Sequence, residues 1–376
     1  MIPIISTIPL RQMASGDRLS LQVYKFIGAQ PGKKVYIQSN LHGAEIAGNA
    51  VIHQLIDFLL SINDSDLIGE ILLVPVCNPM GTNERAHNFS PGRYCVYEFK
   101  DWNRIFWDYE KEADNLASFA KTQLHLDLEM VKQNYRALIQ QKFAQLLEKI
   151  NSPSSVLYTE KFRYQLQSLC LNSDYLIDLH SSTNQGLNYL YYFRDREASA
   201  KYFLLDLGIW LDEYDGDAFD EAFIKPWLAL EECFKQLGRE IQFDIEAWTL
   251  ELGTGMQMIP NAVAKGLKGI KNYLLQKGVL KIADFNLDNT HSHTMNFKTR
   301  SKVTKYYAPV GGMIKSRVEL GSEVKAGELI YQILSFNKEG KLPTVIDVCT
   351  QANGLVYDIS INQSVNEGEF VIGVSS

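Results

Sequence analysis

Along the chain, short apolar runs that stop at polar or glycine-bearing turns alternate with longer stretches in which apolar residues return every three or four positions. Residues 35–39 (VYIQS) have the apolar and β-branched character of a strand. Residues 46–60 (IAGNAVIHQLIDFLL) have the spacing of a helix packed on a sheet. Residues 70–76 (EILLVPV) read as a buried central strand, and Asn78-Pro79-Met80-Gly81 predicts a turn behind it. Further strands are predicted at 175–179 (YLIDL), 187–193 and 245–252 (IEAWTLEL). Residues 108–150 predict one or two long outer helices, with Leu124, Leu128, Met130, Val131, Leu138, Phe143, Leu146 and Leu147 as the apolar stripe and Pro153 closing the segment. Helices are also predicted at 200–211 and 262–277, the second ending at Gly278. Strands alternating with helices imply a sheet covered by helices, an α/β fold.

From about residue 306 the texture changes to short β-runs punctuated by glycine. Its two halves resemble each other, Glu323-Val324-Lys325-Ala326-Gly327-Glu328 being echoed by Ser364-Val365-Asn366-Glu367-Gly368-Glu369. Paired half-motifs of this kind build a small barrel or sandwich of hairpins. The expected division is residues 1–300, with a helical insertion at about 108–170, followed by an all-β module at 301–376.

Composition narrows the partners. A chain of 376 residues with 46% hydrophobic content can bury a large core, and it contains no apolar run long enough to cross a membrane. The start, MIPIISTIPLRQ, lacks the pattern of a secretory signal, so the expected location is the cytoplasm. A net charge of −7 without basic clusters argues against nucleic acid, while local arginines leave an acidic small molecule open as substrate. The five cysteines are scattered, with no C-x-x-C, and read as reduced thiols. The acidic run 212–220 reads as solvated surface.

Candidate chemistry sits where apolar runs stop. His42 and Glu45 lie in the loop after the first αβ-type strand, the sheet edge at which open α/β folds bind ligands, and Gly43 between them would allow a sharp turn. An imidazole and a carboxylate at this spacing can share a zinc ion that still needs a third ligand; equally, they suit a capping Glu and a hydrogen-bonded His. His180 ends another strand, with Asp178 on the same face to orient it, and Glu251 lies near a third strand end. The long polar stretch 78–106 carries Arg85, Arg93 and Arg104. Its Asp101-Trp102-Asn103-Arg104 cluster could grip a carboxylate, or could be a surface loop held by its own salt bridges. His291 and His293 are a second possible metal pair, or else solvent-facing polar residues in a linker.

His42-Gly43-Ala44-Glu45, Asn78-Pro79, Gly92-Arg93-Tyr94, Asp101-Trp102-Asn103-Arg104, Asp178-Leu179-His180 and Glu251-Leu252-Gly253 occur in an order that resembles the succinylglutamate desuccinylase/aspartoacylase family, a branch of the zinc carboxypeptidase clan. The resemblance runs from about residue 33 to 280, and the terminal β-module also looks like the family's. It implies a zinc carboxypeptidase-like fold, a mixed central sheet flanked by helices with a small all-β module. It also implies one Zn2+ per chain, held by His42, Glu45 and His180. Glu251 would be the general base; Asn103 and Arg104, with Asp101, would hold a substrate carboxylate; Arg93, or its rival Arg85, would polarise the scissile carbonyl, the other arginine adding to substrate binding. Trp102 replaces the leucine usual in D-L-N-R and would reshape the pocket. The implied activity is hydrolysis of an N-acyl amino acid or a related small carboxylate-bearing amide. The alternatives are a zinc carboxypeptidase acting on short peptides and a carrier protein with a biotinyl- or lipoyl-like module, although Lys338 and Lys341 lack the sequence context of a modified lysine. The expected partner is a small-molecule substrate, with neither nucleic acid nor membrane, and a homo-oligomer is compatible with the sequence.

Overall fold

The structure, a computed structural model, describes residues 1–112, 115–152, 156–282, 294–336 and 338–376. Strands β1 (Ile4–Gln12) and β2 (Arg18–Ile27) lead into β3 (Gln30–Ser39), helix α1 (Ala47–Ser61) and β4 (Ile68–Val74). A short helix α2 (Pro79–Asn83) and a long loop precede α3 (Leu116–Thr122), α4 (Leu128–Ile150) and α5 (Tyr158–Cys170). The chain returns to the sheet in β5 (Tyr175–Ser182) and β6 (Gln185–Tyr192), then passes through α6 (Glu197–Ala200), β7 (Leu207–Trp210), α7 (Phe219–Gln236), β8 (Glu246–Thr254) and α8 (Pro260–Gln276). Strands β9 (Asn296–Thr299), β10 (Val303–Tyr307), β11 (Gly312–Arg317), β12 (Glu323–Val324), β13 (Leu329–Ser335), β14 (Thr344–Cys349), β15 (Gly354–Ile359), β16 (Ser364–Val365) and β17 (Phe370–Ser375) complete it.

The central sheet runs β1-β2-β4-β3-β5-β8-β6, with β4, β3, β5 and β8 mutually parallel and β6 antiparallel to β8. Alternation along these strands sends Ile37, Ile177 and Leu250 to the face covered by α1 and α8, and Tyr36, Leu176 and Ala247 to the face covered by α5 and α7. Burial on both faces explains why these strands read as continuous apolar runs. The fold is the expected α/β class, a mixed sheet flanked by helices with a smaller antiparallel sheet, β14-β13-β11-β16, near the carboxyl end.

The carboxyl-terminal β-runs do not stand apart from the central sheet. β15 pairs with β6 through Asp358↔Gly186 and Ile359↔Gln185, and β17 and β10 extend the same sheet. The repeated half-motifs exchange strands: β12 of the first half pairs with β15, and β16 of the second pairs with β11. Ile314, Ile330, Ile333, Val356 and Val371 fill the core so enclosed.

Several local expectations are corrected. The helix expected at 200–211 stops at Leu204, which takes φ 55°, and β7 follows in its place. That strand is fixed by pairing with both β6 and β9, and at Gly208 a Cβ would come within 2.7 Å of the Phe297 ring. The turn expected at Asn78-Pro79-Met80-Gly81 is the start of α2, with the Asn78 side chain accepting from the Gly81 N–H. In α4 the buried stripe is Val131, Tyr135, Ile139, Phe143, Leu146 and Ile150, whereas Leu128, Met130 and Leu138 are exposed. His291 and His293 lie outside the described residues. The cysteines are all free; Cys77, Cys95 and Cys170 are buried, and Cys349 is exposed.

Candidate active site

β3 ends at Ser39, and the chain turns through Asn40, which takes the left-handed conformation at φ 68°. The turn therefore rests on Asn40 and not on Gly43. The Asn40 side-chain amide donates to the carbonyls of His42 and Gly43, at 3.1 and 3.2 Å, and its oxygen accepts from Thr82. Gly43 serves close approach instead: a Cβ there would lie 1.9 Å from the Gly81 carbonyl oxygen. Asn78 closes the neighbouring strand end onto this loop by donating to the Leu41 carbonyl at 2.8 Å. Backbone packing and buried amides thus hold the loop before any ligand arrives.

His42 and Glu45 project from this loop and His180 from the end of β5, all three buried. Glu45 lies between the imidazoles, with Oε1 2.9 Å from His42 Nδ1 and Oε2 2.7 Å from His180 Nδ1. One ligand atom from each of the three falls within 4.8 Å of the others, which makes them a candidate metal-binding triad. The donor set suits zinc: two imidazoles and a carboxylate, with the far nitrogen of each ring facing a second carboxylate. His42 Nε2 is 3.0 Å from Asp101 Oδ1, and His180 Nε2 is 3.0 Å from Asp178 Oδ2, an ion-pair distance without hydrogen-bond alignment. Burial disfavours protonation of His180, but Asp178 and Glu45 outweigh it and raise its pKa well above the ordinary value. Burial likewise opposes a charged Glu45, and the two imidazoles hold it below the usual carboxylate range.

Glu251 stands opposite His180 in the parallel β5–β8 ladder and opposite Tyr189 in the β8–β6 ladder. Its Oε2 is buried without a hydrogen-bond partner, and burial together with the nearby Glu45 charge pushes its carboxyl up to about 8. Arg93 reaches the same centre, with Nε 3.0 Å from Asp101 Oδ2 and one guanidinium nitrogen 3.7 Å from Glu45. Arg85 does not: its exposed guanidinium folds back on the carbonyls of Thr82 and Glu84, each at 2.7 Å. Asp101 is engaged by His42 and Arg93, which keep its carboxyl well below the ordinary range although burial acts the other way.

A cavity of about 310 Å3 opens in front of these groups and is lined by His42, Glu45, His180, Glu251, Arg93, Asn103 and Arg104. Asn103 commits its amide oxygen to the Phe219 N–H at 2.8 Å, and Arg104 is ion-paired to Asp215 at 2.7 Å. Trp102 does not shape the pocket; it is fully buried behind it, edge-on to Tyr158 and Phe162 of α5. The acidic run expected to be solvated surface is exposed at 212–215, yet it also supplies Asp215 and the buried Asp220 to the wall.

Sequence reasoning missed the remainder of the wall. Tyr189 and Tyr191 of β6 line it, and their alternate spacing in an aromatic strand was the available signal. Arg300, Lys305, Tyr357 and Asp358 also line it, from far downstream. Asp358 accepts from Ser182 Oγ at 3.0 Å, which couples the terminal β-strands to the strand that carries His180. Nothing local to these four residues marked them.

The sequence model of the succinylglutamate desuccinylase/aspartoacylase catalytic domain matches residues 31–276. No curated protein matches the chain significantly. Among solved structures, a succinylglutamate desuccinylase/aspartoacylase family protein from Shewanella amazonensis is 28% identical, over 99% of this chain and 98% of its own, with a TM-score of 0.86. A second, from Shewanella frigidimarina, is 25% identical over 100% of this chain and 97% of its own, with a TM-score of 0.87. An ectoine utilization protein from Ruegeria pomeroyi, 17% identical over 100% and 96% with a TM-score of 0.66, shares the fold. Among the described residues no helix is long and apolar enough to cross a membrane.

Proposed function

Because the chain belongs to the succinylglutamate desuccinylase/aspartoacylase family, a family of acyl-removing hydrolases, we propose that it is a zinc-dependent amide hydrolase acting on an N-acyl amino acid or a related small carboxylate-bearing amide. The observation that carries this reading is the convergence of two buried imidazoles on Glu45, with the unpartnered Glu251 carboxylate on the adjacent strand. His42, Glu45 and His180 would hold one zinc ion per chain. When bound, that ion supplies Lewis acidity and a water acidified toward a pKa of about 7.

The chain's own groups then divide the work. Glu251, held without a competing donor, accepts the proton of the attacking water at its carboxylate and delivers it to the leaving amine nitrogen. Burial, the larger cause, and the Glu45 charge both raise the Glu251 pKa; a cation held by Glu45 would cancel the second and favour the ionised carboxylate. Arg93, beside Glu45, offers N–H donors to the oxygen on which negative charge grows. Arg104 and the amide donors of Asn103 meet the carboxylate of the substrate and fix the scissile bond. The hydrolysis forms no bond between protein and substrate.

The test is a hydrolysis screen of N-acyl amino acids against their carboxamides with zinc-loaded protein. Wild type should favour the free acid by at least about thirtyfold in kcat/KM, a charge-assisted hydrogen bond being worth about 2 kcal/mol. Arg104→Ala should remove most of that preference. Equal rates on acid and amide in wild type would sink the assignment of Asn103 and Arg104.

A further inference from the structure

Arg104 does not face the cavity alone. Arg300, which enters from outside the matched catalytic region, lines the same cavity, and both guanidiniums are paired to one carboxylate, that of Asp215. Arg104 meets Oδ2 of Asp215 and Arg300 meets Oδ1, so both oxygens are occupied. Among these three groups two cations face one anion, which leaves one net positive charge between them, and Glu221 and Lys305 also line the cavity.

Asp215 is held in place. Its backbone N–H donates to Glu221 Oε1 at 2.6 Å and the next N–H, of Gly216, donates to Glu221 Oε2 at 2.9 Å. Glu221 is buried at the start of α7 and cannot follow a moving loop. On the far side of Asp215, the Phe106 N–H donates to the Asp217 carbonyl at 3.1 Å, and Lys111 pairs with the Asp217 carboxylate. A substrate therefore meets the Asp215 carboxylate at a fixed position, held from behind by Glu221.

Resting on the deacylase reading above, we propose that Asp215 is a specificity-determining residue that limits the Arg104–Arg300 end of the pocket to substrates with one carboxylate there. A first carboxylate satisfies the net positive charge through guanidinium N–H groups not taken by Asp215 or, for Arg104, by the Asn103 carbonyl at 2.6 Å. A second brings its charge against Asp215, the two guanidiniums being already matched by Asp215 and the first carboxylate, and repulsion of this kind discriminates as effectively as a new attraction. The partial exposure of Arg104, Asp215 and Arg300 allows solvent to screen the effect, which sets it at about tenfold and not thousands.

The measurement compares N-acetyl-L-glutamine with N-acetyl-L-glutamate, which match in shape and differ by one carboxylate. Dissociation constants are read by calorimetry on zinc-loaded Glu251→Gln protein, in which turnover is slowed, with and without Asp215→Asn. The glutamine compound should bind at least about tenfold more tightly when Asp215 is present, and Asp215→Asn should abolish or reverse the difference. Each protein is its own control, because only the ratio of the two ligands is used. Arg300→Gln should weaken both ligands about tenfold, since Arg104 and Asp215 then cancel. Tighter binding of the glutamate compound with Asp215 present would mean that another cation such as Lys305 serves the second charge, and would overturn the proposal. So would an unchanged ratio in Asp215→Asn, unchanged binding in Arg300→Gln, or no binding of either ligand. Failure of the wild type to hydrolyse any N-acyl amino acid would instead defeat the deacylase reading, and the binding ratio would still decide the role of Asp215.

Discussion

The two sides of the pocket are built in different ways. On one side His42, Glu45, His180 and Glu251 stand at or near the ends of the neighbouring parallel strands β3, β5 and β8, so their spacing is inherited from the backbone ladder. On the other side Arg300, Lys305, Tyr357 and Asp358 arrive from downstream segments, tied in by the Asp215 ion pairs and by the Asp358↔Gly186 pairing. A ladder fixes positions closely and suits groups that must meet one ion and one reacting atom. A wall assembled from distant segments can change residue by residue without disturbing that ladder. Under the proposed function, substitutions on the ladder side should lower metal content or turnover for every substrate. Substitutions on the assembled side should re-rank substrates while metal is retained.

The largest effect that would break this comparison is expected at His180. His180→Ala should lower bound zinc from about one per chain toward zero, three protein ligands being the usual minimum for a catalytic site. Activity should fall at least about a thousandfold for all substrates, with the fold retained. Zinc analysis by mass spectrometry beside circular dichroism reads both, and a folded variant with full zinc would remove His180 from the metal site. Glu251→Gln comes next. It should keep its zinc and lose about a hundredfold in kcat, the usual scale for a general acid-base group. Near-normal turnover in the zinc-replete variant would move the proton transfer elsewhere.

The ladder side was legible in the sequence because each of its groups follows an apolar run, and the end of a run marks the end of a strand. Even there the physical reason was partly misassigned, since Asn40 makes the turn credited to Gly43. The assembled side left no such mark. Arg300 follows β9 and Lys305 lies within β10, where their neighbours in sequence say nothing about the cavity, and Asp358 reaches it only because β15 pairs with β6. Asp215 and Asp220 read as solvated surface because acidic runs usually are, and only their pairing with Arg104, Arg300 and Thr249 gives them another role. Trp102 shows the opposite error: a residue inside a functional motif was expected in the pocket, yet its ring packs behind it. Motifs mark where a segment sits, whereas the direction of each side chain depends on what packs against it.

A smaller effect sharpens the distinction from the assembled side. Asp358→Ala removes the acceptor of the Ser182 hydroxyl, two residues beyond His180, and should reduce kcat/KM about tenfold with zinc content unchanged. That magnitude follows from a single hydrogen bond worth about 1.4 kcal/mol. Loss of zinc in this variant would mean that the terminal β-strands help hold the metal ligands, and the two sides could no longer be treated separately.

The smallest effect is expected at Arg85, and it separates the two arginines that the motif spacing left as rivals. Arg93 lies 3.7 Å from Glu45 and lines the cavity, where its donors can meet an oxygen bonded to the carbon under attack. Arg85 spends its donors on the carbonyls of Thr82 and Glu84 and on Ser90 Oγ, in an exposed loop. To act on a substrate it would have to abandon these bonds. Arg93→Ala should therefore fall near Glu251→Gln in kcat, removal of a charge-stabilising donor costing about a hundredfold or more. Arg85→Ala should change kcat/KM by no more than about twofold, the usual range for a surface substitution away from a site. Steady-state kinetics of the two variants on one substrate decide the matter. A tenfold or greater loss in Arg85→Ala, with Arg93→Ala near normal, would reverse the assignment.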